Sequence, residues 1–316
     1  MISDRLKRAL RPAIGFAVVV AVAVTIAGNW GKVSPHLSEL SAGWMLLALG
    51  SVIAGLYCTM LSWRALLADL GSPLPLRAAL RIFFLSQLGK YIPGSVWPVL
   101  AQMELGRDYD VPRKRSATAG LVTLLLSVVA GAIVAAACVP FVDGVPWYAW
   151  LIMAVIPIGA LVLHPPVFSA LVNKALQLMK REPLEHPLTR SGELRSLGWA
   201  VTAWIAFGVQ AWAIARDQGG TGGGLLPVAI GGFALAWTAG FLFIVAPAGI
   251  GVREGVLAVV FANYLPGGRF GAPLALALIS RLMMSLGDVV WAGVAVGMSR
   301  GRRTAVAAGG IEAEGV

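Results

Sequence analysis

Six apolar runs, near residues 12–29, 42–67, 116–141, 147–164, 197–215 and 271–298, dictate what this chain can become. Each is long enough to cross about 30 Å of hydrocarbon as a helix rising about 1.5 Å per residue. The whole chain is 58% hydrophobic and 13% charged, against about 45–50% and about 25% in an ordinary soluble domain. A folded soluble protein of this size cannot hide that surplus, so the surplus faces lipid. A secreted domain and a cytosolic enzyme are excluded. The net charge of +10 does not indicate nucleic acid either, because the basic residues lie in short segments between apolar runs instead of on one soluble face. Cys58 and Cys138 sit in apolar stretches and read as small hydrophobes, with neither a disulfide framework nor a zinc pattern.

The first run follows Arg5, Lys7, Arg8 and Arg11, the order found in a leader peptide. Ile26-Ala27-Gly28-Asn29-Trp30 is a poor cleavage site and further spans follow, so it reads as a first transmembrane helix. With the N-terminus in the cytoplasm, eighteen of the 25 basic residues fall on the cytoplasmic side and three, Lys32, Arg216 and Arg269, on the other. The positive-inside rule therefore places both ends in the cytoplasm. Arg64, Lys90, Arg253 and Arg281 are left in or near membrane segments. In the longest loop, 165–196, Asn173, Gln177, Lys180 and Arg181 recur opposite Phe168, Leu171, Leu176 and Met179. That stretch lies flat on the inner leaflet or simply extends the preceding helix. The expected organisation is one polytopic domain over 1–303 and a disordered tail over 304–316.

Two further apolar stretches, 82–106 and 226–264, are interrupted by proline and glycine. The first contains Lys90-Tyr91-Ile92-Pro93-Gly94-Ser95-Val96-Trp97-Pro98-Val99-Leu100-Ala101-Gln102 between Arg81 and Arg107, both cytoplasmic. It is too short for two crossings, which predicts a helix that enters, breaks at Pro93-Gly94 and returns. The second contains Pro247-Ala248-Gly249-Ile250-Gly251-Val252-Arg253-Glu254-Gly255. It is either a hairpin dipping in from outside or two helices joined near the inner face. Irregular backbone at membrane depth is tolerated only beside protein or a watery cavity, and transporters place sites at paired broken helices. The expected fold is an all-α integral membrane protein, a polytopic bundle of about six full spans plus these two broken segments.

The glycine spacing after Pro247 is not a dinucleotide fingerprint, which needs G-x-G-x-x-G after a strand in a βαβ unit. A helix starting after Gly251 instead aims free N–H groups and its positive dipole end at the membrane interior, and Ser95 and Val96 do the same in the first segment. With Lys90 and Arg253 beside them, these ends suit a phosphate. Ionisable residues inside a bilayer cost about 2.5–3.5 kcal/mol each at a helix centre, so they face a cavity or a partner. On the last helix Arg281, Ser285 and Asp288 share a face. Packing pairs, Arg281 with Asp288 and Arg253 with Glu254, are the alternative use of these charges. The candidate lipid-contacting set is Lys90, Tyr91, Pro93, Gly94, Ser95, Trp97 and Gln102, then Pro247, Gly249, Gly251, Arg253 and Glu254, then Arg281, Ser285 and Asp288. No metal, cofactor or catalytic group is expected. Glu104, Asp69 and Arg64 read as interface charges, and Trp30, Trp44, Trp147 and Trp150 as an aromatic belt.

The Lys90–Gln102 stretch, the Pro247–Gly255 stretch and the polar last helix resemble the flippase-like family, also called the lysylphosphatidylglycerol synthase transmembrane family, which includes the membrane half of the multiple peptide resistance factor. The resemblance implies a multi-pass protein of the cytoplasmic membrane that moves an anionic lipid between leaflets, either a modified phospholipid or a polyprenyl-phosphate-linked sugar. It also implies a lipid-modifying synthase or glycosyltransferase as partner. The soluble aminoacyl-transferase domain of the full-length synthases is not in this sequence, so lysine transfer is not expected. No ATP-binding motif is present, so drive comes from a gradient or from consumption of the cargo. The competing functions are an intramembrane lipid-modifying transferase and a subunit that presents lipid to a separate synthase.

Overall fold

The computed structural model describes residues 40–91, 97–142, 147–178, 188–242, 251–266 and 271–311. The expected span at 12–29, and Pro93, Gly94, Ser95, Pro247 and Gly249, lie outside them. Every element among the described residues is helical: α1 (Ala42–Asp69), α2 (Leu76–Gln87), α3 (Trp97–Gly106), α4 (Arg113–Cys138), α5 (Val155–Val162), α6 (Pro165–Leu178), α7 (Arg190–Asp217), α8 (Leu225–Leu242), α9 (Val252–Phe261) and α10 (Ala272–Ile311). Helices α1, α4, α7, α8 and α10 are long and apolar enough to cross a membrane. The protein is a multi-pass membrane protein, as its apolar runs require.

The run at 147–164 is not one straight helix. A 3₁₀ segment, Trp147–Ala154, leads into α5, and the path bends by 90° into α6. Proline has no N–H to donate and is favoured at a helix start, so Pro165 and Pro166 end one helix and begin the next. The bend removes the reading of 165–178 as a simple extension. Helix α6 buries Phe168, Val172 and Leu176 against the bundle and leaves Leu171, Lys174 and Leu178 exposed. At the other terminus α10 continues to Ile311, past the boundary at 303, through alanines that favour helix.

Helices α1 and α7 lie antiparallel along their whole length and define the two ends of the bundle. At one end the Asp217 carboxylate accepts the Ser41 N–H at 3.0 Å and the Ser41 hydroxyl at 2.8 Å. Along the seam the hydroxyls of Ser62 and Ser196 meet at 2.7 Å. At the far end Asp69 accepts the Thr189 N–H at 2.8 Å, and the Thr189 hydroxyl caps α7 by accepting from Gly192 N–H at 3.1 Å. A β-carbon at Gly192 would overlap the Asp69 carboxyl. Gly192→Ala should therefore cost about 1–3 kcal/mol through overpacking, read as a lower midpoint in thermal unfolding in detergent. Gly198→Ala, on the same helix but facing open space, should leave the midpoint unchanged or raise it.

The first broken segment is a hairpin that enters and leaves at the Asp69 end. Six residues separate α1 from helix α2, which runs on as a 3₁₀ turn, Leu88–Tyr91, before α3 returns. Arg115, at the start of α4, donates to Gly71 O at 3.0 Å and so marks the same end. The arms touch beside the break, where a side chain on Gly89 would lie 2.9 Å from backbone atoms of Trp97 and Pro98. Only glycine allows that approach.

The second segment is a hairpin of opposite sense. Gly224 meets Phe141 O at the Asp217 end, a β-carbon on Gly131 of α4 would lie 3.0 Å from the Thr238 hydroxyl, and Gly232 lies against Val260 of the returning α9. Thr238 is therefore level with a residue eighteen positions along α4 from Arg113, about 27 Å of helix. Helix α8 is described to Leu242, and α9 leads back to the end where α8 began. Residues 243–250, which join them, lie outside the described residues.

Candidate functional site

Helix α10 passes the tips of both hairpins. Trp291 fixes its position by donating from Nε1 to Ile53 O on α1 at 3.0 Å and by stacking on Phe84 of α2, with ring centroids 4.6 Å apart. Gly287 packs directly on Val52. One turn of such a helix places side chains three and four positions apart on the same face, so Arg281, Ser285 and Asp288 line a single stripe. The rise between Arg281 and Asp288 is about 10 Å.

Each end of that stripe holds one hairpin by an ion pair. Lys90, in the 3₁₀ turn just before the first break, places Nζ 2.6 Å from Asp288 Oδ2. Arg281 Nη1 lies 2.5 Å from Glu254 Oε1 in the first turn of α9. The pairs cross between helices, unlike the within-segment pairs offered as the packing alternative. Asp288 is 3% exposed and Glu254 8%. A carboxylate so enclosed needs its cation, because desolvation of a charge is repaid only by close pairing and hydrogen bonds.

Glu254 does two tasks at once. Its second oxygen, Oε2, accepts the Gly251 N–H at 2.7 Å, so the carboxylate reaches back over the start of its own helix, as the acid of a capping box does. Gly251 has φ of 86°, a conformation that costs an L-residue about 1–2 kcal/mol. The N-terminus of α9 is thus formed as the sequence predicts, with the protein's own carboxylate seated where an anion would bind. Gly251→Ala should lower the unfolding midpoint by an amount matching that strain, whereas Gly255→Ala, facing open space, should not.

The remaining expected residues divide clearly. Arg253 places its guanidinium 4.6 Å from the centre of the Phe233 ring on α8, a cation–π contact. Ser285 donates to Arg281 O at 3.1 Å within its own helix. Trp97 is 39% exposed, at the start of α3. Gln102 is buried against Gly120 of α4. Tyr91 ends the 3₁₀ turn. The site brought together is therefore Lys90, Asp288, Arg281, Glu254 and Gly251.

Sequence reasoning overlooked a neighbour of this site. Ser280 donates to Gln210 Oε1 of α7 at 3.2 Å, and both are fully buried. The signal was available, since a glutamine within an apolar run needs a hydrogen-bonding partner. Among the described residues no group of three or more His, Cys, Asp or Glu is placed to hold a metal ion.

The arrangement contains two cations at membrane depth, each held by a carboxylate on or beside one stripe of one helix. A phosphate can replace a carboxylate at either cation, because both are oxygen anions of similar reach and both form charge-assisted hydrogen bonds. A family model described as the lysylphosphatidylglycerol synthase TM region matches residues 10–292. The search of curated proteins finds no match.

Proposed function

We propose, from the premise that this chain belongs to the lysylphosphatidylglycerol synthase transmembrane family, that it is a flippase for a phosphate-bearing lipid. The family is the membrane region of a lipid synthase, so a lipid-related membrane function follows from membership. The finer reading is ours. The cargo is a modified phospholipid or a polyprenyl-phosphate-linked sugar, carried across the cytoplasmic membrane with the Asp69 end facing the cytoplasm. The excess of basic residues at that end supports the orientation.

The observation that carries the reading is the pair of hairpins entering from opposite ends and held to one helix by the ion pairs Lys90–Asp288 and Arg281–Glu254. Paired broken helices of inverted sense are the usual place for a transport site. In the cycle, the headgroup phosphate displaces Asp288 from Lys90 or Glu254 from Arg281. The displaced hairpin tip is then freed to move, and re-pairing on the far side expels the phosphate. The acyl or prenyl chains stay in lipid throughout. A synthase or glycosyltransferase acting on the same lipid is the partner this activity calls for.

The test is reconstitution in liposomes with headgroup-labelled lipids, with label accessibility measured in each leaflet over time. Wild type should speed crossing of a phosphate-bearing lipid and leave a neutral lipid with the same chains at the protein-free rate. Equal acceleration of both, or of neither, would overturn the proposal. Glu254→Gln should lose most of the acceleration, because it removes the charge that pairs with Arg281.

A further inference from the structure

One buried carboxyl lies far from the stripe and has no part in the exchange just described. Glu193, in the first turn of α7, is 2% exposed. Neither of its carboxylate oxygens has a hydrogen-bond partner. It is followed one turn later by Ser196, whose hydroxyl meets Ser62 at 2.7 Å and also reaches Ser62 O at 3.0 Å. One turn before it stand Thr189 and the Asp69 carboxylate that Thr189 holds. Asp69, Thr189, Glu193, Ser196 and Ser62 therefore form a polar track that leads from the Asp69 end into the apolar seam between α1 and α7.

Among the described residues, the charged groups around this carboxyl do not neutralise it. From α1 the facing group is Asp69, a like charge. Arg64 of α1 donates to Leu74 O at 2.8 Å, and Arg115 of α4 to Gly71 O at 3.0 Å and Ser72 Oγ at 3.4 Å, all in the connection between α1 and α2. On α7 itself, Arg190 and Arg195 point to the exposed face. Helix α8 carries no ionisable residue, and α10 meets α7 through Ser280 and Gln210, about 25 Å further along the helix. An ionised carboxylate sealed from water without a donor or a cation is strongly disfavoured, whereas a protonated one needs neither.

We infer that Glu193 is a proton-binding site on the α1–α7 seam, and that lipid movement responds to the pH at the Asp69 end through its loading and release. The coupling rests on the flippase reading; the proton site does not. The carboxyl holds its proton while the seam is closed. When α7 shifts against α1, the track admits water, the proton leaves past Asp69 and Thr189, and the carboxylate is solvated.

Two measurements separate the site from the coupling. Infrared spectra of the full chain in liposomes at pH 7, wild type minus Glu193→Gln, should contain the C=O stretch of a protonated carboxylic acid. Absence of that band overturns the inference whether or not the protein moves lipid. Glu193→Gln imitates the neutral acid and should keep the wild-type unfolding midpoint, so a missing band cannot be put down to misfolding. In the transport assay, raising the pH on the Asp69 side by one unit should change the wild-type rate for a phosphate-bearing lipid by up to about tenfold for one proton. Glu193→Gln should move the lipid with no such dependence. A pH dependence equal to wild type in Glu193→Gln would overturn the coupling.

Discussion

Replacing Arg281 with alanine should reduce translocation of a phosphate-bearing lipid by about 10–100-fold, the loss expected when one charge-assisted hydrogen bond to the headgroup, about 1.5–3 kcal/mol, is removed. The same change leaves Glu254, 8% exposed, beside the start of α9 without its cation. Breaking a buried pair in this way costs about 3–5 kcal/mol of stability, and the lower part of that range applies because the Arg281 side chain keeps 25% of its exposure. Stability and transport are then separated by a second variant. In Arg281→Met with Glu254→Met both charges leave together, and apolar groups of similar volume replace them. Such replacements are often neutral or stabilising, so the unfolding midpoint should return close to wild type while transport stays lost. An ion pair that serves only packing would recover both.

The second large effect concerns Lys90 and Asp288, and it is a matter of sign. If phosphate and Asp288 compete for the same ammonium group, removing the competitor strengthens headgroup binding and removing the ammonium weakens it. Asp288→Asn should bind a phosphate-bearing lipid about tenfold more tightly, about 1.4 kcal/mol, and turn over more slowly because re-pairing no longer expels the headgroup. Lys90→Gln should bind it about tenfold less tightly. Tryptophan fluorescence offers a readout, since Trp291 lies one turn from Asp288 and stacks on the hairpin that carries Lys90. Two partners of a purely structural pair would shift affinity in the same direction when either is removed.

Much of this was legible from the apolar runs and the basic residues between them, because the bilayer imposes length and charge rules that a soluble fold does not. The first hairpin followed from Arg81 and Arg107 lying on one side of a run too short to cross twice. The second could not be decided that way, since side-counting allows both arrangements; the antiparallel packing of α8 on α9 through Gly232 and Val260 is a tertiary contact. The partners of the buried charges were likewise out of reach. Arg281 and Asp288 share a helix face, and Arg253 is adjacent to Glu254, so local spacing suggested pairs within each segment. The structure instead joins Arg281 to Glu254 and Lys90 to Asp288, because helix packing brings each hairpin tip to a different turn of α10. Glu193 escaped notice for a similar reason. An acid in the first turn of a helix is ordinary and usually exposed, and only the fit of Gly192 against Asp69 shows that this one is covered.

The central claim is that lipid phosphate takes the place of a carboxylate at Lys90 and Arg281. Solid-state NMR on liposomes holding the full chain, labelled with nitrogen-15 in lysine and arginine, measures it directly through nitrogen–phosphorus dipolar coupling. With a transported phosphate-bearing lipid present, the Lys90 and Arg281 side-chain nitrogens should couple to phosphorus. Assignment is by loss of each signal in Lys90→Gln and Arg281→Met. Transport in the same liposomes with no phosphorus coupling at either nitrogen would contradict the account.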